Sequence, residues 1–221
     1  MMTWSAFMHA LWPRPMSVSW PERLRGALGG GIGIAFATFT GMAIANALHL
    51  SPWLVAPIGA SAVLVFAVPA SPLAQPWAVI GGNTVAAIAG LAACNLIPDP
   101  LLAASVAVGL AIAAMFALRC LHPPGGAMAL LVVLTHTKAW SFVLFPAFTD
   151  SLLLVVAGIA YHALTRHSYP HVLKPAPVDG LIESDFAAAI ASETELLDID
   201  PADLKRLIAA AERHADERRK G

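Results

Sequence analysis

Arg119-Cys120-Leu121-His122-Pro123-Pro124-Gly125-Gly126-Ala127 is the stretch on which the reading of this chain turns. Two consecutive prolines end the helix before them and hold the backbone extended, yet long apolar runs lie on both sides. Irregular backbone inside an apolar region leaves amide and carbonyl groups that lipid cannot satisfy, so it is tolerated only where it is buried in protein or lines a cavity. The stretch therefore reads as the opening of a short helix inside a membrane protein.

The rest of the chain agrees. Of 221 residues, 58% are apolar and 12% charged, against about 25% charged in soluble domains. Between Ala27 and Leu164 the charges are Asp99, Arg119, Lys138 and Asp150, whereas the remainder from Arg166 to Gly221 is densely charged. A bilayer core takes about 20 apolar residues to cross as a helix. Segments 27–50, 77–97, 101–119 and 141–164 reach that length, and 53–69 and 123–135 fall short. The fold expected is an all-α integral membrane protein: four long transmembrane helices, two short Pro/Gly-interrupted half-helices and a soluble helical tail.

Three regions follow. Residues 1–22 carry Trp4, Phe7, Met8, Leu11 and Trp12 at helical spacing and read as an interfacial segment; residues 23–172 are the transmembrane domain, and 173–221 the tail. Arg14, Arg23 and Arg25 precede the first span, and Arg166, His167 and Lys174 follow the last. The positive-inside bias then puts both termini in the cytoplasm, at a bacterial inner membrane. The crossings must be even in number, four or six. In the tail, helices are expected over about 184–192 and 201–218, and Leu204, Leu207, Ile208 and Ala211 form an apolar stripe suited to a partner or another copy.

The two short segments repeat one another. Pro57-Ile58-Gly59-Ala60-Ser61-Ala62-Val63-Leu64 matches Pro124-Gly125-Gly126-Ala127-Met128-Ala129-Leu130-Leu131 at five of eight positions, 67 residues apart. Each follows one long segment and precedes another. Paired short, Gly/Pro-interrupted segments in corresponding halves mark transporter binding sites. A helix opening offers free N–H groups and a partial positive charge, both favourable to an anion. The two openings are expected to meet inside the bundle and cradle a small inorganic anion.

The candidate binding residues are accordingly Pro57, Gly59, Ala60 and Ser61 in the first segment and His122, Pro123, Pro124, Gly125, Gly126 and Ala127 in the second. Arg119 adds a permanent charge with five donors, and Asn83 an amide costly to leave unpaired in a span. His122 can donate, accept or carry charge near neutral pH, so it is also the expected carrier of a coupling proton. Asn46, Asn95 and Asp150 read as interfacial or packing residues. Cys94 and Cys120 form no disulfide or zinc pattern, and the histidines no metal-binding pair. No cofactor, catalytic residue, enzymatic activity or nucleic-acid partner is expected; the partners are an anion, the lipid bilayer and a homo-oligomer. The alternative is a membrane scaffold or sensor subunit that recruits a partner through its C-terminal helices.

HPPGGA at His122–Ala127, PIGASAVL at Pro57–Leu64, PASPLAQPW at Pro69–Trp77, IGGN at Ile80–Asn83 and the closing Tyr169-Pro170-His171 together resemble the HPP family of integral membrane proteins over about residues 20–172. The resemblance implies a four-span protein, and some relatives are associated with nitrite transport, which implies an anion permease. Other bacterial relatives continue into paired cystathionine-β-synthase-type nucleotide-sensing domains, expected to be absent from this chain, which ends at Gly221.

Overall fold

Proline opens five of the six helices in the membrane unit, at positions where its missing N–H has no intrahelical partner to lose. A computed structural model describes residues 19–50 and 54–171, together with 208–210, 213, 214 and 217. The helices are α1 (Trp20–Leu48), α2 (Pro57–Ala67), α3 (Pro76–Leu96), α4 (Pro100–Ala117), α5 (Pro123–Leu134) and α6 (Thr149–Leu164). The fold is an all-α membrane protein, with four stretches long and apolar enough to cross a bilayer: α1, α3, α4 and Val143–Leu164. α1 begins at Trp20 rather than near residue 27, because its first turns carry Glu22, Arg23 and Arg25. The last stretch is interrupted by a π-helical turn, Val143–Phe148, where Phe145 is extended before Pro146.

Side-chain contacts fix the direction of each element. The end of α6 meets the start of α1 through Arg25 and His162 and the end of α2 through the Val65 carbonyl. The end of α4 meets the start of α3 through the Trp77 indole N–H and the Leu118 carbonyl. At the opposite face, Asn95 near the end of α3 reaches the Lys138 carbonyl. Gly82 approaches His122 and Gly90 approaches Ala129 and Val132, so α5 runs parallel to α3. The helices thus run in alternating directions and the chain passes through the bundle six times, with α2 and α5 as the two short passes. Three passes per half reverse the direction of the second, so α1–α3 and α4–α6 are arranged as an inverted repeat.

The chain divides into two compact units, Met1–Val172 and Leu173–Gly221. In the second unit residues 208–210, 213, 214 and 217 are helical. The tail helix expected over 184–192, Leu204, Leu207 and Ala211 of the tail stripe, and residues 1–18 of the interfacial segment lie outside the described residues.

Candidate functional site

His122 caps α5 in extended conformation, and its position is set from three sides. Gly82 lets α3 come close: a Cβ there would sit 2.5 Å from His122 Cβ and 2.8 Å from the Cys120 carbonyl oxygen. Gly125 is similarly pressed: a Cβ there would sit 3.0 Å from the Gly82 carbonyl oxygen. The third side is the connection before α3, whose Leu73 carbonyl lies 2.8 Å from His122 Nδ1. A carbonyl only accepts, so Nδ1 carries a proton and, in the neutral ring, Nε2 presents a lone pair.

That lone pair faces α2. Ser61 Oγ lies 2.8 Å from His122 Nε2 and accepts from Asn83 Nδ2 at 3.1 Å. The other N–H of Asn83 reaches Ser151 Oγ at 3.1 Å, and Ser151 donates to the Ala147 carbonyl at 2.7 Å. One chain of hydrogen bonds therefore joins α5, α2, α3 and α6. It can also reverse. A second proton on His122 would donate from Nε2 to Ser61, whose hydroxyl would turn to the Pro57 carbonyl 3.2 Å away. Ser61, Asn83, His122, Asp150 and Ser151 are all at 0% exposure, so the cluster is sealed from both faces.

On the amino-terminal face the seal is the connection from Val68 to Gln75. Tyr169 donates to the Ala74 carbonyl at 2.9 Å, and burial raises its phenol above the usual range, keeping it a donor. Gln75 accepts from the His171 amide at 2.9 Å and donates to the Pro69 and Ser71 carbonyls. The PASPLAQPW and Tyr169-Pro170-His171 stretches are thus one structure, closed beneath His122. A second buried histidine lies beside it. His162 Nδ1 accepts from Arg25, 3.2 Å away, and its Nε2–H donates to the Val65 carbonyl at 2.9 Å; Arg25 also pairs with Glu22.

Among the described residues three buried side-chain oxygens have no hydrogen-bond partner: Asn83 Oδ1 and both oxygens of Asp150. The Val55 amide lies beside the Asp150 carboxyl without completing a hydrogen bond. Asp150, expected to be an interfacial or packing residue, is fully buried, because the π turn before α6 places it well inside the pass. Sequence reasoning also missed Ser151 and the Arg25–His162 contact. A signal existed: at the same offset of 67 residues, Asn83-Thr84 corresponds to Asp150-Ser151 and Val55 to His122.

The openings of α2 and α5 do meet, at Ser61 and His122. Their backbone does not form the expected cradle of free N–H groups. Pro57, Pro123 and Pro124 have none, and the amides of Ile58, Gly59 and Gly125 are already bonded to the carbonyls of Val55, Ala56 and His122. Donors to a ligand must therefore be side chains. Of the residues expected at the site, Pro57, Ser61, Asn83, His122, Pro124 and Gly125 are buried, Gly126 is half-buried, and Gly59, Ala60, Arg119, Pro123 and Ala127 are exposed. Gly59 lines an apolar groove of about 650 Å³ between α1 and α2. Arg119, at φ 54° just past the end of α4, is exposed and outside the buried chain. Among the described residues no group of three or more His, Cys, Asp or Glu is placed to hold a metal ion.

Multiple passes, two half-helices meeting head to head and a buried polar chain between them define a polytopic membrane protein with a central polar site. The chain belongs to the HPP family: the family's transmembrane region matches residues 15–170. Two transmembrane proteins of Dictyostelium discoideum are similar to it, each 32% identical over an alignment of 149 residues that covers 61% of this chain, and 52% of one relative and 48% of the other. The chain therefore spans about half the length of these curated relatives. No solved structure matches it.

Proposed function

We propose that this chain is a membrane transporter or channel for a small inorganic anion such as nitrite, with Ser61, Asn83 and His122 as the binding groups. One observation carries the reading: the His122–Ser61–Asn83 chain lies where two oppositely directed half-helices meet in an inverted repeat. Discontinuous helices meeting at a repeat interface are the architecture of secondary-transporter sites. Both helix openings still contribute partial positive charge although their amides are bonded. The donors are the Ser61 hydroxyl and, when doubly protonated, His122 Nε2–H, joined by the Asn83 amide when it gives up one of its bonds to Ser61 and Ser151. A passive anchor or scaffold has no use for buried, partly unsatisfied polar groups at that depth. Arg23 and Arg25 on the amino-terminal face favour its being cytoplasmic. Uptake of labelled nitrite by vesicles carrying the purified chain tests the reading. Saturable uptake above that of protein-free vesicles is expected; equal uptake overturns it.

A further inference from the structure

Asp150 has the least accounted-for environment in the membrane unit. Its carboxyl is fully buried, and neither oxygen has a hydrogen-bond partner. Among the described residues no opposite charge stands near to compensate it. α2 and α3, which pack on α6, contain no Asp, Glu, Lys or Arg; Cys94 is the titratable residue of α3. The charges of α1, Glu22, Arg23 and Arg25, lie at the other end of α6, where Arg25 meets His162. Twelve residues of helix separate His162 from Asp150, about 18 Å at 1.5 Å per residue. The titratable group across the buried chain is His122, joined to Ser151 through Ser61 and Asn83.

A carboxylate with only the Val55 amide beside it pays a desolvation penalty that is not repaid in full, and the usual escape is to take up a proton. A bound cation is the other escape. It needs several oxygen ligands, and neither Asp150 nor its flanking Thr149 and Ser151 belongs to a set of converging carboxylates; both flanking hydroxyls already donate to backbone carbonyls. A proton needs no such set.

We propose that Asp150 is the carboxyl that carries a proton together with the anion. This rests on the anion reading above. An anion among Ser61, Asn83 and His122 would meet like charge from an ionised Asp150, and that repulsion vanishes once Asp150 is neutral, so each species favours binding of the other. The step is an acid–base exchange: Asp150 carboxylate takes a proton from water on the side where the anion enters and returns it to water on the side where it leaves. One anion and one proton cross together, without net charge. His122, the carrier expected from the sequence, is less suited, because both its nitrogens are engaged in the neutral ring. It serves instead to hold the anion, through an Nε2–H that a second proton supplies and that stays on the ring while Asp150 loads and unloads its own proton.

The test uses vesicles of the full chain with a pH-sensitive dye inside and an inward nitrite gradient. Nitrite is expected to acidify the lumen, and Asp150→Asn to reduce that acidification at least tenfold. A normally inserted Asp150→Asn protein that acidifies like the unsubstituted chain overturns the proposal, as does nitrite uptake driven by sodium with no proton entry. Because the variant could fail to insert, infrared spectroscopy of the unsubstituted chain gives a second measure. A protonated-carboxyl C=O band that shifts on adding nitrite is expected, and its absence near neutral pH overturns the proposal. If the band is present but no nitrite moves, the anion reading fails and the coupling with it.

Discussion

The two halves of the repeat place a polar pair at the same position and use it differently. In the first half Asn83 spends both N–H groups on Ser61 and Ser151 and Thr84 donates to the Ile80 carbonyl. In the second, Ser151 is bonded while Asp150 is not. One step earlier the difference recurs: Gly82 admits the His122 side chain and the Cys120 carbonyl, whereas its counterpart Thr149 carries a side chain that donates to the Leu144 carbonyl at 2.7 Å. The halves share a path but not a task. The first gives the junction Ser61 and Asn83; the second gives it His122 and Ser151 and adds a buried carboxyl with no hydrogen-bond partner.

That contrast can be broken at Gly82 with the largest effect. Gly82→Val would drive methyl groups into His122 and the Cys120 carbonyl, and should destabilise the protein by about 3 kcal/mol, the upper end for overpacking. Thr149→Val, at the matching position, should lose about 1 kcal/mol, the worth of one hydrogen bond. Thermal unfolding in detergent compares the pair; equal losses would mean that the close approach at Gly82 is not specific to the first half. Asn83→Leu comes next. It removes the link joining Ser61 to Ser151 and should lose about 2 kcal/mol by leaving buried hydroxyls short of a donor. Ser61→Ala should lose about 1 kcal/mol, since His122 keeps its bond to Leu73. The smallest effect belongs to Arg119→Gln, expected within about 0.5 kcal/mol for an exposed site and to leave nitrite uptake within about twofold. A tenfold fall in uptake would bring Arg119 back into the site.

Much of this arrangement could be read from residues alone. Apolar length and proline placement located the helices, and the Pro57 and Pro124 match anticipated the meeting of two openings. What was not legible has physical causes. The first-turn amides were expected to be free, but the turn at Val55-Ala56 and the carbonyl of His122 bind them, which shifts the donor role to side chains. Arg119 looked close to His122 in sequence, yet the left-handed residue after α4 turns it outward. Asp150 looked terminal because the irregular turn at Phe145-Pro146 was invisible in composition. Extending the repeat from the half-helices to Asn83 and Asp150 would have flagged it.

The most direct test of the central claim is the nitrite concentration dependence of uptake with His122→Gln. Glutamine keeps hydrogen bonding but cannot add a positive charge, so losing one charge-assisted contact, about 1.4 kcal/mol, should raise the half-saturating nitrite concentration about tenfold. A protein that inserts normally and shows the same half-saturation and maximal rate as the unsubstituted chain would contradict the account, because the anion would then pass without meeting the junction of the two half-helices.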